Sequence, residues 1–453
     1  MTASLVSTTP VRESAYRTSE ILSALSCALD ITEGQPPGHA VRTCLIGMHL
    51  AERAGMPAEQ RGPLFYALLL KDLGCSSNAA RLCSLFGADD RALKRDHKLT
   101  DWSRPSRSLR YALRNAVPSA SPMGRAVRVA SMVMHERGSG REMTRTRCDR
   151  GAEIAGTLGF TAATGEAIRT LDEHWDGNGM PDGLSGSAIP LLGRIVGLAQ
   201  TAEIFASTFG VDAAVEVIVE RRGRWFDPSL VDAFRSLAEH EAFWAKVLGR
   251  SPERHLNTLE PEDQVVMADE ARLDDIARAF ARVIDAKSPY TYLHSERVAE
   301  LAVTIGRGLH FSEVQLRDIR RAGLLHDIGK LGVSTLILDK PERLTERERA
   351  EVRVHPAYTQ RILERVGAFS GIVAIASAHH ERLDGKGYHL GLTGERLSPM
   401  SRALAVADVY EATTADRPYR KGLPRNEAIA ILRGLAGTAL CPSAVEALAS
   451  EVG

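Results

Sequence analysis

The chain has 453 residues, with 57 basic and 57 acidic side chains, so its formal net charge is zero and long-range attraction for nucleic acid polymers is excluded. Hydrophobic residues at 44% and charged residues at 25% describe a globular protein long enough for more than one domain. Six scattered cysteines without a CxxC pair exclude a thiolate zinc site and a disulfide framework, and no stretch supplies the ~20 apolar residues that span a bilayer.

The first residues, MTASLVSTTPVRES, lack the apolar segment of a secretory signal, so a reduced, cytoplasmic setting without a membrane partner is expected. From Gly38 the text GHAVRTCLIGMHLAERAGM parallels LHSERVAELAVTIGRGLHF from Leu293. His39 pairs with His294, and Asp72 of LLLKDLGC with Asp327 of LLHDIGK, both 255 residues apart. Later the spacing falls to 208: DGNGMPDGLSG from Asp176 answers DGKGYHLGLTG from Asp384, and Glu203 answers Glu411. The first copy therefore carries 47 additional residues, expected around the Arg-rich text SNAARLCSLFGADDRALKRDHKLTDWSRPSRS. A register kept across whole helix-loop-helix segments indicates a duplication. Apolar stripes at i, i+3, i+4, i+7, such as Val298, Leu301, Ala302 and Ile305, recur in AAVEVIVERR, EVQLRDIRRAGLL and EAIAILRGL. Strand-like alternation is scarce, so an all-α fold is predicted. It divides into residues 1–250, a connection over 251–270 with Pro261 as a breaker, and residues 271–453.

In the second copy, polar residues interrupt segments that otherwise read as core. His326 and Asp327 follow Ala322-Gly323-Leu324-Leu325, His379 and His380 follow GIVAIASA, and Asp408 lies within ALAVADVY. A lone histidine on a helix is more often a surface or hydrogen-bonded residue than a ligand. Burying an ionisable group without a partner costs several kcal/mol, however, so repeated intrusions point to groups that satisfy one another or a shared cation. With His294 and His355 the set holds five imidazoles and two carboxylates, more than one ion takes. Two ions bridged by Asp327 would use them, and nitrogen and oxygen donors suit iron, manganese or zinc. Lys330, four residues beyond His326, reads as one helical turn further on the same face. Arg417, Arg420 and Lys421 in DRPYRKG form a cationic loop suited to phosphate. The glycines of HHERLDGKGYHLGLTG make a turn-rich loop rather than a phosphate cradle.

The texts HSERVAELA, LLHDIGKLGV, LILDKPERLTERE, HPAYTQRIL, HHERLDGKGY and AVADVYEATTADRPYRKGL, in this order from about Tyr290 to Pro442, resemble the HD-GYP family of the HD superfamily of phosphohydrolases. The resemblance implies two tandem HD-type helical domains, the second metal-binding, and a cyclic di-GMP phosphodiesterase or one acting on a related cyclic dinucleotide. It implies two divalent ions, iron or manganese. His294, His326, Asp327 and Asp408 would hold one, and His355, His379 and His380 the other, with Asp327 bridging. Asp327 and Lys330 would serve catalysis, with Lys330, Arg417 and Lys421 on phosphate. Departures are Gly387-Tyr388-His389 in place of Gly-Tyr-Pro, and Tyr290 where members with a third metal carry a glutamate.

The same offsets empty the first copy. Lys71 stands for His326, Cys75 for Lys330, Arg147 for His355, Leu171 and Asp172 for the histidine pair, and Gln200 for Asp408. Lys71 places a cation where a metal would sit. A catalytically silent first half is expected, retained for packing, regulation or ligand sensing. It and the Gly387-Tyr388-His389 loop are the places where a regulatory protein could bind. Two other functions stay open: a receptor that binds the nucleotide without hydrolysing it, and a different HD-superfamily nucleotide phosphohydrolase.

Overall fold

The computed structural model describes residues 16–118, 120–135, 138–416 and 420–452. They form two helical halves, as predicted. The strands among them are the two-residue pieces Tyr16–Arg17 and Met267–Ala268, paired antiparallel, which fasten the start of the described chain to the entry of the second half.

Helices begin where side chains can take the free backbone N–H groups of the first turn. Ser312 and Gln315 form a reciprocal capping box on Glu313–Leu325, Thr345 and Glu348 do so on Glu346–Val352, and Asp269 caps Glu270–Asp285. The predicted stripe on His294–Gly308 is inward: Val298, Ala302 and Ile305 are fully buried.

The two halves repeat local detail at the offsets read from sequence. Asp30 accepts the backbone N–H groups of Gly38, His39 and Ala40, as Asp285 accepts Ser295 N–H and Oγ–H. Glu173 accepts the N–H groups of Asp182, Gly183 and Leu184, and Glu381 those of Leu390, Gly391 and Leu392. The bridges Asp176–Ser185 and Asp384–Thr393 also correspond.

One hydrophobic core runs through both halves, from Ile21 to Leu448. A small satellite of Phe86, Ala88, Leu93 and Tyr111 belongs to the additional segment of the first half, which folds as Ala79–Phe86, Asp90–Leu99, Pro105–Asn115 and the helix at Pro122. Residues 251–270 are packed down: Leu256 is buried, and the buried Glu260 carboxylate accepts Ser19 Oγ–H at 2.7 Å and Tyr66 O–H at 2.6 Å. Buried polar links also cross between halves. Lys287 Nζ lies 3.5 Å from Asp90 Oδ2, Thr335 N–H donates to Asp90 Oδ1 at 3.1 Å, and Arg91 donates to the carbonyl of Gly332. Among the described residues no helix is long and apolar enough to cross a membrane.

Phe280, fully buried in Glu270–Asp285, anchors this common core. Phe280→Ala is expected to cost about 3–5 kcal/mol, measured as a lower denaturant midpoint.

Candidate metal centre

Seven residues from five places in the second half meet at one buried point, and the ends of helices deliver most of them. His294 opens His294–Gly308, His326 closes Glu313–Leu325, Asp327 precedes the tight turn Ile328–Gly332, and His355 opens His355–Leu363. His379 and His380 follow Val373–Ser377, and Asp408 comes from the middle of Pro399–Thr414.

Helix ends matter because their backbone carbonyls are free to accept. His326 Nδ1 lies 2.7 Å from the Gly323 carbonyl, His355 Nδ1 2.7 Å from Val352, and His379 Nδ1 2.7 Å from Ala376. A carbonyl oxygen only accepts, so each Nδ1 carries the proton and each Nε2 presents a lone pair inward. His294 is oriented differently, its Nδ1 being 2.5 Å from Glu411 Oε2. Such partners fix the ring and raise its basicity toward a metal.

Asp327 divides the imidazoles into two pairs. Its Oδ2 lies 3.3 Å from Nε2 of both His294 and His326, and its Oδ1 lies 3.3 Å from His355 Nε2 and 3.7 Å from His379 Nε2. Asp408 Oδ1 closes the first group at 3.6 Å from His294 Nε2 and 3.8 Å from His326 Nε2. His380 completes the second with His355 and His379. It is the one member of the cluster with substantial exposure, 26%, and its ring stacks on Tyr388 at 4.8 Å.

These residues fit divalent metal. His294 Nε2, His326 Nε2 and Asp327 Oδ1 are buried without a hydrogen-bond partner, and buried polar atoms are normally satisfied. His355 Nε2 and His379 Nε2 face each other at 3.1 Å with lone pairs opposed, unfavourable unless a cation lies between. Donors about 2.0–2.2 Å from one ion stand roughly 3 Å apart, the spacing found here. Burial alone would raise the Asp327 carboxyl, but the His326 ring and the Lys330 ammonium hold it well below the usual range. Burial pushes His379 well down and His380 to about 3, leaving both as neutral donors. His294 is drawn up to about 9, against its burial, by the carboxylates of Asp327 and Glu411.

The centre lies on the floor of a cleft of about 1070 Å³, at the upper end of small-molecule sites. Lys330, Lys340, Arg343, Arg349 and Arg420 supply its cationic wall, with Tyr290 at the side. Lys330 reaches the cleft differently from the sequence expectation. The helix stops at His326, and the 3-10 turn that follows brings Lys330 Nζ to 2.5 Å from Asp327 Oδ2, a contact between residues three apart. Arg420 donates to the carbonyls of Thr413 and Ala412 at the end of Pro399–Thr414. Lys421 is 90% exposed, pairs with Asp416 at 2.7 Å and does not line the cleft. Arg417 lies outside the described residues.

In the first half, ammonium groups occupy the equivalent place. His39 Nδ1 bonds Glu203 as His294 bonds Glu411. Lys71 Nζ sits 2.9 Å from His39 Nε2 and also pairs with Asp72 Oδ2, where the second half would take its first ion. Lys98 Nζ contacts Asp72 Oδ1 at 3.1 Å and Glu33 Oε2 at 2.8 Å. Glu33, Asp72 and Cys75 are close enough to hold an ion, but Lys98 already bridges the two carboxylates. Sequence reasoning missed Lys98 and Glu33. It aligned Glu411 with Glu203 but gave neither a role, although Glu411 stands three residues from Asp408 on the same helix.

The HD domain family matches residues 136–230 and 278–443. A 3'3'-cGAMP-specific phosphodiesterase of Vibrio cholerae is 41% identical over 438 residues, covering 97% of this chain and 95% of its own length. The chain belongs to the HD-GYP-like branch of the HD superfamily. The crystal structure of a V. cholerae cyclic GMP-AMP specific phosphodiesterase, V-cGAP3, covers 96% of this HD protein with a TM-score of 0.66 at 37% identity. A cyclic di-GMP phosphodiesterase of Pseudomonas aeruginosa is 45% identical over 141 residues, 31% of this chain and 34% of its own.

Lys98→Met would leave Glu33 and Asp72 short of a buried counter-charge. The expected loss is about 3–5 kcal/mol of stability in urea unfolding, with the metal content of the second half unchanged.

Proposed function

We propose that this HD protein is a metal-dependent phosphodiesterase that opens cyclic dinucleotides, cyclic di-GMP or a related molecule such as 3'3'-cGAMP. The observation that carries the reading is the convergence of seven donor residues, Asp327 among them, beside a cationic cleft. The V. cholerae relative that matches nearly the whole chain supports a cyclic dinucleotide as substrate.

His294, His326, Asp327 and Asp408 would hold one divalent ion, and His355, His379 and His380 with the other oxygen of Asp327 the second. Iron or manganese suits this donor set. Such a pair, when bound, supplies Lewis acidity for attack of water at phosphorus and for departure of the ribose oxygen. The remaining work falls to the chain. Asp327 fixes the separation of the two donor groups. Lys330, held by Asp327 at the cleft edge and 22% exposed, donates to a phosphoryl oxygen as charge builds on it. Arg420, set by the carbonyls it caps, faces the phosphates from the far wall. Arg417 and Lys421, from the same stretch of sequence, are the further phosphate contacts of this reading. The Gly387-Tyr388-His389 loop, through Tyr388 on His380, bears on substrate preference.

The first half reads as a second copy of the same domain, silent because lysines have replaced its ions, within the organisation 1–250, 251–270 and 271–453. It and the Gly387-Tyr388-His389 loop are the surfaces proposed for regulatory protein partners.

Metal-loaded protein is expected to convert 3'3'-cGAMP or cyclic di-GMP to a linear dinucleotide in chromatographic product analysis. Intact nucleotide after binding would defeat the reading and leave a receptor. Asp327→Ala should lose both ions by elemental analysis and all turnover, whereas His355→Ala should lose about one ion. Lys330→Ala should keep its metals and lower kcat by about 10²–10³, measured at saturating substrate.

A further inference from the structure

The additional segment of the first half encloses a cavity of about 380 Å³ that takes no part in the chemistry above. An engineered apolar cavity of ~150 Å³ suffices for benzene, so this one holds a larger body. Its wall is Leu82, Leu85, Phe86, Val129, Met132 and Met143, and Val133, 60% exposed, lines it where it meets the surface. The polar end holds Ser139, whose buried Oγ has no hydrogen-bond partner among the described residues. The charges beside it are already paired: Lys98 with Glu33 and Asp72, Lys94 with Glu33 and Asp90, and Arg147 with Asp172. A charged ligand would have to compete with these pairs. An apolar body with one hydroxyl or carbonyl would leave the apolar wall covered and Ser139 satisfied.

The helix Asp90–Leu99 connects this cavity to the catalytic half. Leu93, Lys94, His97 and Lys98 line the cavity. At the helix start Asp90 holds Lys287 and the Thr335 N–H, and Arg91 holds the Gly332 carbonyl. Lys287 also donates to the Leu331 carbonyl at 3.0 Å, and Lys287 and Ser288 line the catalytic cleft. The two segments gripped by the helix therefore flank Lys330 on one side and Tyr290 on the other.

We propose that this cavity is a regulatory site for an uncharged, largely apolar small molecule with a single hydrogen-bonding head, and that the helix Asp90–Leu99 transmits its occupancy to the cleft. Binding can be read without any enzymatic activity; the effect on turnover rests on the proposed phosphodiesterase.

The test titrates the full chain with 1-decanol by calorimetry, with decanoate as the charged comparison. Saturable 1-decanol binding is expected, weaker by about tenfold or more for decanoate and for Leu82→Trp, which fills the cavity. Val129→Phe serves if Leu82→Trp does not fold. Absence of binding, equal affinity for decanoate, or undiminished binding to the filled variant overturns the site. Hydrogen exchange then reads transmission independently of catalysis. 1-Decanol should change protection at residues 287–290 and 331–335 in the native chain and not in Arg91→Ala, and should alter turnover of the cyclic dinucleotide by about twofold or more. Binding without altered exchange, or the same alteration in Arg91→Ala, overturns transmission. Altered exchange in a protein that hydrolyses no cyclic dinucleotide would fault the catalytic reading alone.

Discussion

The carboxylate of Asp327, 1% exposed and set between two pairs of imidazoles, is the constraint on which the second half depends. Each oxygen faces the inward nitrogens of two rings, and three of those rings present lone pairs because their Nδ1 protons are committed to backbone carbonyls. Lys330 meets one oxygen of this buried anion, but Asp327 Oδ1 and the inward nitrogens of His294 and His326 have no hydrogen-bond partner among the described residues, and the His355 and His379 lone pairs oppose each other. Desolvated groups of this kind are tolerable when cations complete them. The fold supplies the geometry by ending or starting four helices at the same point, where free carbonyls orient the rings at no cost to helical hydrogen bonding.

The first half solves the same electrostatic problem with side chains. His39, Asp72 and Glu203 are retained, and the Lys71 and Lys98 ammonium groups lie on the two oxygens of Asp72. Two fixed positive charges stand where the second half leaves donor atoms open to a cation. An ammonium group neutralises the carboxylate but has no vacant coordination position, so this arrangement satisfies the buried charge without offering a site for a ligand. The replacement required a contribution from outside the shared pattern. Lys98 comes from the additional segment, and that segment also carries Asp90 into the other half.

This explains what could and could not be read from sequence. His326, Asp327, His379, His380 and Asp408 stood out in the sequence because each interrupts an apolar run, a conflict that a partner or an ion resolves, whereas His294 and His355 were singled out only as members of the set. The helical halves were legible from the 3.6-residue stripe, as Val298, Ala302 and Ile305 illustrate. Lys330 lines the cleft, but not through the helical spacing expected of it: the helix ends at His326, and a tighter turn delivers the side chain. Lys98 and Glu33 were invisible because internal alignment breaks at the additional segment, leaving no equivalent to compare. The continuity of one core through both halves was equally hidden, since a stripe shows that a face is buried but not against what.

The loop beside the centre shows how local sequence can mislead about rigidity. Reading Gly387-Tyr388-His389 against a Gly-Tyr-Pro pattern suggests a loosened loop, since proline restricts the backbone. Yet the following turn is held by the buried Glu381, whose carboxylate accepts three successive N–H groups, Leu390 to Leu392. Glu173 makes the same contacts in the first half, where Pro181 is present. Because both loops share the anchor while only one has the proline, the glutamate and not the proline is the common restraint. Tyr388 can then keep His380, the most exposed donor, against the rest of the centre without it. The substitution puts a bulky polar ring beside Tyr388 in place of a compact apolar one, while the Tyr388 ring still stacks on His380.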